Sequence, residues 1–119
     1  MSANLAYLIF PLVLGYYIQR QMKFVAVRKN LPKHLKEGAL IVDVRPSTEF
    51  TSGHIEGSIN IPLSEFSDKI GDLNPEETIL LYCNSGSRST RAAAILKEKG
   101  FKKVVNTGPW SNLRSVKRA

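Results

Sequence analysis

The sequence predicts a small α/β domain with a mainly parallel sheet flanked by helices. Residues 39–44 and 78–82 are almost continuously apolar, as is typical of strands buried on both faces. Residues 89–99 instead carry apolar side chains at helical spacing, and Gly100 follows them. Because strands that alternate with helices build parallel sheets, this order favours the α/β class.

Shorter segments complete the predicted order of elements. In chain order they are a helix at 48–52, an extended piece at 57–61, a helix at 63–70, a strand at 103–105 and a helix from 109 onward. Residues 24–38 are predicted to be a basic connector, in which Pro32 opens a short helical turn and Gly38 ends it.

Charge is distributed unevenly along the 119 residues. There are 17 Lys and Arg against 10 Asp and Glu, which gives a net charge of +7. Residues 1–19 are uncharged, whereas residues 20–38 contain six basic residues and one acidic residue. A nucleic-acid-binding domain more often interleaves basic and aromatic residues over its folded surface, so this pattern argues against nucleic acid. A basic block directly after an apolar one is typical of a juxtamembrane segment.

The apolar N-terminal stretch, MSANLAYLIFPLVLGYYIQ, predicts a transmembrane helix at residues 1–19. Such a helix is about 28 Å long, close to the hydrocarbon thickness of ~30 Å. The basic residues follow only on its C-terminal side, so the positive-inside rule places the remainder in the cytoplasm. We therefore predict a single-pass membrane protein with a basic juxtamembrane linker at 20–37 and a folded domain at 38–119.

Two alternatives remain for this stretch. A cleaved signal peptide would leave the domain in the periplasm, but no positive residue precedes the apolar run and no A-x-A-like cleavage site follows it. A core helix or an interfacial segment is disfavoured because the run is apolar all round rather than along one stripe.

Cys83 is the candidate nucleophile. It is the only cysteine, which excludes an intramolecular disulfide, and a structural zinc site would lack sufficient good ligands. It follows a buried strand, at the sheet edge where open α/β folds bind ligands. The next residues are small and polar, so their N–H groups can converge on an anion and stabilise a thiolate. These loop residues are Asn84, Ser85, Gly86 and Ser87.

Arg88 adds a fixed positive charge at the start of the predicted helix, whose N-terminal end also favours anions. Cys83 is thus predicted to be an activated nucleophile with its own anion site. The alternative is an inert thiol buried at a strand end, which is common for a free cysteine.

Two blocks of sequence resemble the rhodanese domain, most closely its small single-domain members of the phage-shock type. They are ALIVDVRPSTEFTSGHIEGSINIPL and ILLYCNSGSRSTRAAAILKEKGFKKVVNTGPW, and the resemblance covers about residues 38–113. It implies that Cys83 takes the outer sulfur of thiosulfate or a similar donor as a persulfide. A thiophilic acceptor such as cyanide or a protein thiol then takes that sulfur, and no metal or organic cofactor is implied.

The resemblance also implies roles for residues outside the loop. Arg45 is expected to lie beside the loop and to bind substrate with it, while Asp43 organises the pocket. Glu49 and His54 match motif positions, and we interpret both as mainly structural. Trp110 is expected either to wall the pocket or to pack against the core.

Loop length distinguishes a sulfurtransferase from related phosphatases. The spacing from Cys83 to Arg88 is Cys-x4-Arg, whereas the Cys-x5-Arg loop of the phosphatases is large enough to wrap a phosphate. A Cys-dependent phosphatase or arsenate reductase is therefore the weaker hypothesis. A rhodanese-like binding or sulfur-carrier module without turnover is the other alternative, and the retained cysteine argues against a module with no chemistry.

Overall fold

The computed structural model describes residues 2–118, which contain nine helices and strands. Met1 of the predicted transmembrane segment and Ala119 of the predicted folded domain lie outside the described residues. The nine elements are α1 (Ser2–Lys36), β1 (Leu40–Asp43), α2 (Ser47–Ser52), β2 (Ile59–Asn60), α3 (Phe66–Lys69), β3 (Ile79–Cys83), α4 (Ser87–Glu98), β4 (Val104–Pro109) and α5 (Trp110–Arg118). One 3₁₀ turn precedes α3 (Leu63–Glu65) and another follows it (Ile70–Asp72).

The four strands form one parallel sheet in the order β2-β1-β3-β4. The predicted α/β fold is therefore confirmed. All five residues of β3 are buried, as expected of a central strand with helices on both faces. Side chains alternate along it, so Cys83 points to one face of the sheet and Tyr82 to the other.

Each face of the sheet has its own apolar core. On the Cys83 face, α4 supplies Ala92 and Leu96, which pack with Phe66 of α3. On the Tyr82 face, Leu31 of α1 and Leu113 of α5 are fully buried. Cys83 and the long N-terminal helix therefore belong to different layers of the domain.

α1 is one continuous helix of 35 residues that includes Pro11 and Pro32. The predicted connector with a new helical turn at Pro32 is therefore wrong. Proline inside a helix costs about 3 kcal/mol. Here Val27, Leu31 and Leu35 lie on one stripe and pack on the Tyr82-side core. Burial of these side chains, about 1.5–3 kcal/mol for each one fully buried, offsets that cost.

The N-terminal half of α1 does not meet the requirements of a membrane span. Among the helices of residues 2–118, none has an 18-residue stretch apolar enough to cross a bilayer. The predicted single-pass location is therefore wrong. Although the stretch is uncharged, its polar ends and its tyrosines dilute the aliphatic residues and lower the mean hydropathy. The predicted boundaries between transmembrane segment, linker and folded domain, after residues 19 and 37, stay predictions. Helix α1 continues through the first boundary and ends at Lys36, next to the second.

Candidate active site

The candidate site is the turn between β3 and α4. Cys83 ends the strand and Ser87 begins the helix, so only three residues join them. Gly86 has φ 100°, in the left-handed region that glycine adopts without a Cβ clash. This conformation directs the Gly86 N–H back toward the strand end, where it donates to Cys83 Sγ at 2.9 Å.

A second polar group meets the sulfur from the first turn of α4. Ser89 Oγ lies 3.5 Å from Cys83 Sγ and donates to the Gly86 carbonyl at 3.0 Å. Both side chains are buried, and the sulfur otherwise packs in the Cys83-side core. Ser89 was not predicted from the sequence. It follows Cys83 by six positions, and only the first turn of α4 brings its side chain back to the thiol.

Glu49 of α2 connects the two ends of this turn. One carboxylate oxygen accepts a hydrogen bond from Arg88 Nη1 at 2.9 Å, and the other accepts one from Asn84 Nδ2. The hydrogen bond from Arg88 is the main reason that the pKa of Glu49 lies below its ordinary value. The same bond raises the pKa of Arg88. Arg88 is therefore an anchored cation, and Glu49, interpreted from the sequence as mainly structural, positions the loop.

Arg45 supports the loop from behind. Its Nη2 lies 2.6 Å from the buried Asp43 carboxylate and also donates to the Gly53 carbonyl at 2.6 Å. Its Nη1 donates to Asn84 Oδ1 at 3.4 Å. The hydrogen bond to Asp43 is the main reason that the pKa of Arg45 is raised further, so the guanidinium stays charged. Arg45 contacts the loop through Asn84, and its predicted role in binding substrate remains a prediction.

Trp110 covers the other side of Arg45. The guanidinium carbon lies 4.6 Å from the indole centroid, within the range of a cation–π contact. Tyr82 and Trp110 also stack, with centroids 6.5 Å apart and an angle of 10° between the rings. Of the two alternatives for Trp110, the structure therefore favours packing against the core.

The structure brings the predicted site residues together. Asn84 and Ser85 are exposed on the loop, and Ser85 Oγ lies 3.3 Å from Ser87 Oγ. Arg88 is partly buried in its ion pair with Glu49, and Asp43 is fully buried beside Arg45. His54 lies outside this group: its Nδ1 bonds to the Phe50 carbonyl at 2.8 Å and its ring stacks on Phe50. A structural role for His54 agrees with these contacts.

Comparison with known proteins identifies relatives of this arrangement. A family model described as "Rhodanese-like domain" matches residues 27–108, more than half of the chain. The chain is 42% identical over 73 residues to "Putative sulfur carrier protein YrkF" of Bacillus subtilis (strain 168), with 61% of this chain and 40% of that protein covered. This chain therefore spans less than half the length of that relative.

Other relatives match over most of their own length. The chain is 39% identical over 78 residues to "Thiosulfate sulfurtransferase PspE" of Escherichia coli (strain K12), and the match covers 64% of this chain and 75% of that protein. Among solved structures, the E. coli protein described as "rhodanese with anions" is 34% identical with a TM-score of 0.59. That match covers 63% of this chain and 91% of the other.

Proposed function

This chain belongs to the rhodanese-like domain family, and from that membership we propose that Cys83 accepts a sulfane sulfur and transfers it to an acceptor. With thiosulfate as donor, the Cys83 thiolate attacks the outer sulfur. The sulfur–sulfur bond of thiosulfate breaks, and sulfite leaves with the electron pair. Cys83 then carries a persulfide, with its charge on the outer sulfur.

The second half of the cycle restores the thiolate. A nucleophilic acceptor such as cyanide attacks the outer sulfur, and the bond between that sulfur and Cys83 breaks. Cyanide leaves as thiocyanate, and Cys83 keeps the electron pair as a thiolate. No redox change of the protein and no external oxidant are needed, because sulfur moves as a formally neutral atom between two anions.

The observation that carries this proposal is the hydrogen bond from Gly86 N–H to Cys83 Sγ at 2.9 Å. An N–H donor directed at this sulfur can hold the negative charge that the sulfur carries when Cys83 attacks the donor and when it leaves the persulfide. The exposed hydroxyls of Ser85 and Ser87, with Arg88 beside them, offer polar contacts to an incoming anion. Cys83 itself is fully buried, so the donor must reach the sulfur by displacing loop side chains.

A sulfur-carrier role without turnover is the second candidate. It is supported by the similarity to the B. subtilis protein named as a putative sulfur carrier. A carrier would form the persulfide and keep it until a specific acceptor arrived, whereas an enzyme would release sulfite continuously when thiosulfate and cyanide are both supplied. The two roles share the first step and differ in the second.

The test is a thiosulfate:cyanide assay on the full chain with Cys83→Ser as control, together with mass spectrometry after exposure to thiosulfate alone. We expect the wild type to gain the mass of one sulfur atom on Cys83 and to produce thiocyanate over many turnovers. Persulfide formation with only one equivalent of thiocyanate would favour the carrier. Equal thiocyanate production by wild type and Cys83→Ser would overturn both roles.

A further inference from the structure

The N-terminal part of α1 carries a large exposed apolar surface. Every residue from 5 to 19 is exposed, and none of them is charged. The large apolar side chains of this stretch are 44–79% exposed; they are Leu5, Tyr7, Leu8, Ile9, Phe10, Leu12, Val13, Leu14, Tyr16, Tyr17 and Ile18. With roughly 150–200 Å² for each fully exposed side chain of this size, the surface amounts to roughly 1,000 Å². The largest apolar patch on a typical monomer is only about 300–600 Å², and larger patches mark interaction sites.

Part of this surface has the spacing of a helix–helix contact. Four of its residues recur at steps of four, three and four positions, which is the a/d spacing of a heptad. They are Leu5, Ile9, Leu12 and Tyr16. Because a helix turns about 100° per residue, their side chains lie within about 60° of one another around the axis of α1. We call this row of four residues the α1 seam. A seam of this kind packs against a second helix that has apolar side chains at the same spacing.

The chemistry of the surface distinguishes between possible partners. A partner recognised through charge needs charged groups opposite its own, and residues 5–19 offer none. A helix that lies on a lipid surface has a strongly charged or polar face, whereas this stretch is uncharged on every side. A second copy of the same helix supplies a matching seam and brings no like charges into the contact. Two-fold dimers are also the commonest closed assemblies.

We propose that this chain forms a two-fold dimer in which the α1 seams of two copies pack antiparallel. Leu5 of one copy then faces Tyr16 of the other. In the middle of the contact, Ile9 faces Leu12 on both sides of the two-fold axis. Burial of roughly 600 Å² on each copy gives about 1,200 Å² in total, the lower end of the range for specific interfaces. The dimer should therefore dissociate on dilution.

The basic residues that follow the seam determine the direction of pairing. In a parallel pair the two copies of Arg20 would lie side by side, because packed helix axes are only about 8–10 Å apart. In the antiparallel pair they are about 28 Å apart along the helix axis, at 1.5 Å per residue. This separation is well beyond the Debye length of about 8 Å at physiological ionic strength. Repulsion between the basic segments therefore favours the antiparallel dimer.

Sedimentation equilibrium of the full chain tests the stoichiometry. We expect the mass to rise with protein concentration from the 13.3 kDa of the monomer to twice that value. Leu12→Glu should raise the dissociation constant more than about a hundredfold, because each dimer then buries two charges without partners. Tyr7→Glu is the matched control, since Tyr7 is 79% exposed and lies on the side of α1 opposite the seam. It should change the dissociation constant by less than about threefold.

A mixing experiment tests the direction of pairing. Ile9→Lys and Leu12→Glu should each be monomeric alone, whereas their equimolar mixture should form dimers. Position 9 of one copy faces position 12 of the other only in the antiparallel arrangement, where the introduced lysine pairs with the introduced glutamate. Each variant should still unfold cooperatively, because residues 5–19 belong to neither apolar core. Thermal unfolding therefore separates a lost contact from a misfolded chain.

The proposal would be overturned by a wild type whose mass stays monomeric at every concentration. If that monomer co-sediments with neutral phosphatidylcholine vesicles, the apolar surface belongs to lipid instead. Equal loss of the dimer in Tyr7→Glu and Leu12→Glu would exclude the seam, and a mixture that stays monomeric would exclude antiparallel pairing. Persulfide formation on Cys83 is measured separately, so failure of the dimer and failure of the proposed function are distinguishable.

Discussion

Glu49 Oε2 and Arg88 Nη1 lie 2.9 Å apart although 39 residues separate them in the sequence. The same carboxylate also accepts a hydrogen bond from Asn84. The two ends of the turn between β3 and α4 are therefore bonded to one side chain on α2. This arrangement limits the conformations of the turn, and the orientation of the Gly86 N–H depends on those conformations.

Replacing Glu49 should reduce sulfur transfer more than it reduces stability. In Glu49→Gln the charge that anchors Arg88 is lost, so we expect kcat for thiosulfate:cyanide transfer to fall about ten- to a hundredfold, because a displacement of about 1 Å can cost a hundredfold. The thermal unfolding midpoint should fall only slightly, because an ion pair whose side chains are 34% and 35% exposed contributes little to stability. Sulfite release and thermal unfolding measure the two effects.

A matched control for this variant is Glu65→Gln. Glu65 forms an exposed ion pair with Lys69 on α3, distant in the chain from the turn. The Glu65→Gln substitution should leave kcat unchanged. An equal loss of kcat in Glu49→Gln and Glu65→Gln would show that the tie between α2 and the turn is irrelevant to the reaction.

The pair also predicts a pH dependence of folding. The pKa of Glu49 is lowered in the folded chain, chiefly by the hydrogen bond from Arg88. A carboxyl group whose pKa is lowered by folding stabilises the folded state at pH values above its pKa in the unfolded chain, about 4.3. This stabilisation is lost as the pH falls through the pKa of the folded state. The unfolding free energies of wild type and Glu49→Gln should therefore differ at pH 6 and converge below about pH 4. Urea titrations over this range measure the difference, and a constant difference from pH 3 to 7 would contradict the expectation.

Ser89 should help to keep Cys83 reactive. In the thiolate state its hydroxyl can rotate from the Gly86 carbonyl and donate to the sulfur 3.5 Å away. We expect Ser89→Ala to slow alkylation of Cys83 by iodoacetamide at pH 7 by about ten- to a hundredfold, as for the loss of one hydrogen bond to a charged group. Ser115→Ala is the matched control, because Ser115 also bonds to the carbonyl three residues earlier but lies on α5. Identical alkylation rates in the two variants would exclude this role for Ser89.

Arg45 should be mainly a stabilising residue. Its guanidinium and the Asp43 carboxylate are buried together, at 3% and 0% exposure. Arg45→Ala would leave the carboxylate buried without its partner, which typically costs about 3–5 kcal/mol. Chemical denaturation should detect this loss, whereas Arg28→Ala on the exposed side of α1 should change the free energy of unfolding by less than about 0.5 kcal/mol. Should Arg45→Ala fold normally and fail only in thiosulfate binding, the substrate-binding role predicted from sequence would be the better description.

Local signals in the sequence were sufficient for the sheet and for the turn. β1 and β3 could be predicted because strands buried on both faces need continuous apolar runs, and the turn because small polar residues follow Cys83 directly. Pro32 predicts a helix start that the chain does not have, because its local preference is outweighed by the burial of Leu31 against the sheet. The Glu49–Arg88 pair has no local signal, because only the folded sheet brings α2 and α4 together.

The opposite orientations of Tyr82 and Cys83 in β3 constrain how this protein can change. Inserting or deleting one residue within the strand would exchange the two side chains between faces. The sulfur would then point toward α1 and α5, and the phenol would point toward α4. Lengthening or shortening the N-terminal part of α1 does not alter this alternation, so it leaves Cys83 and Tyr82 on their own faces of the sheet.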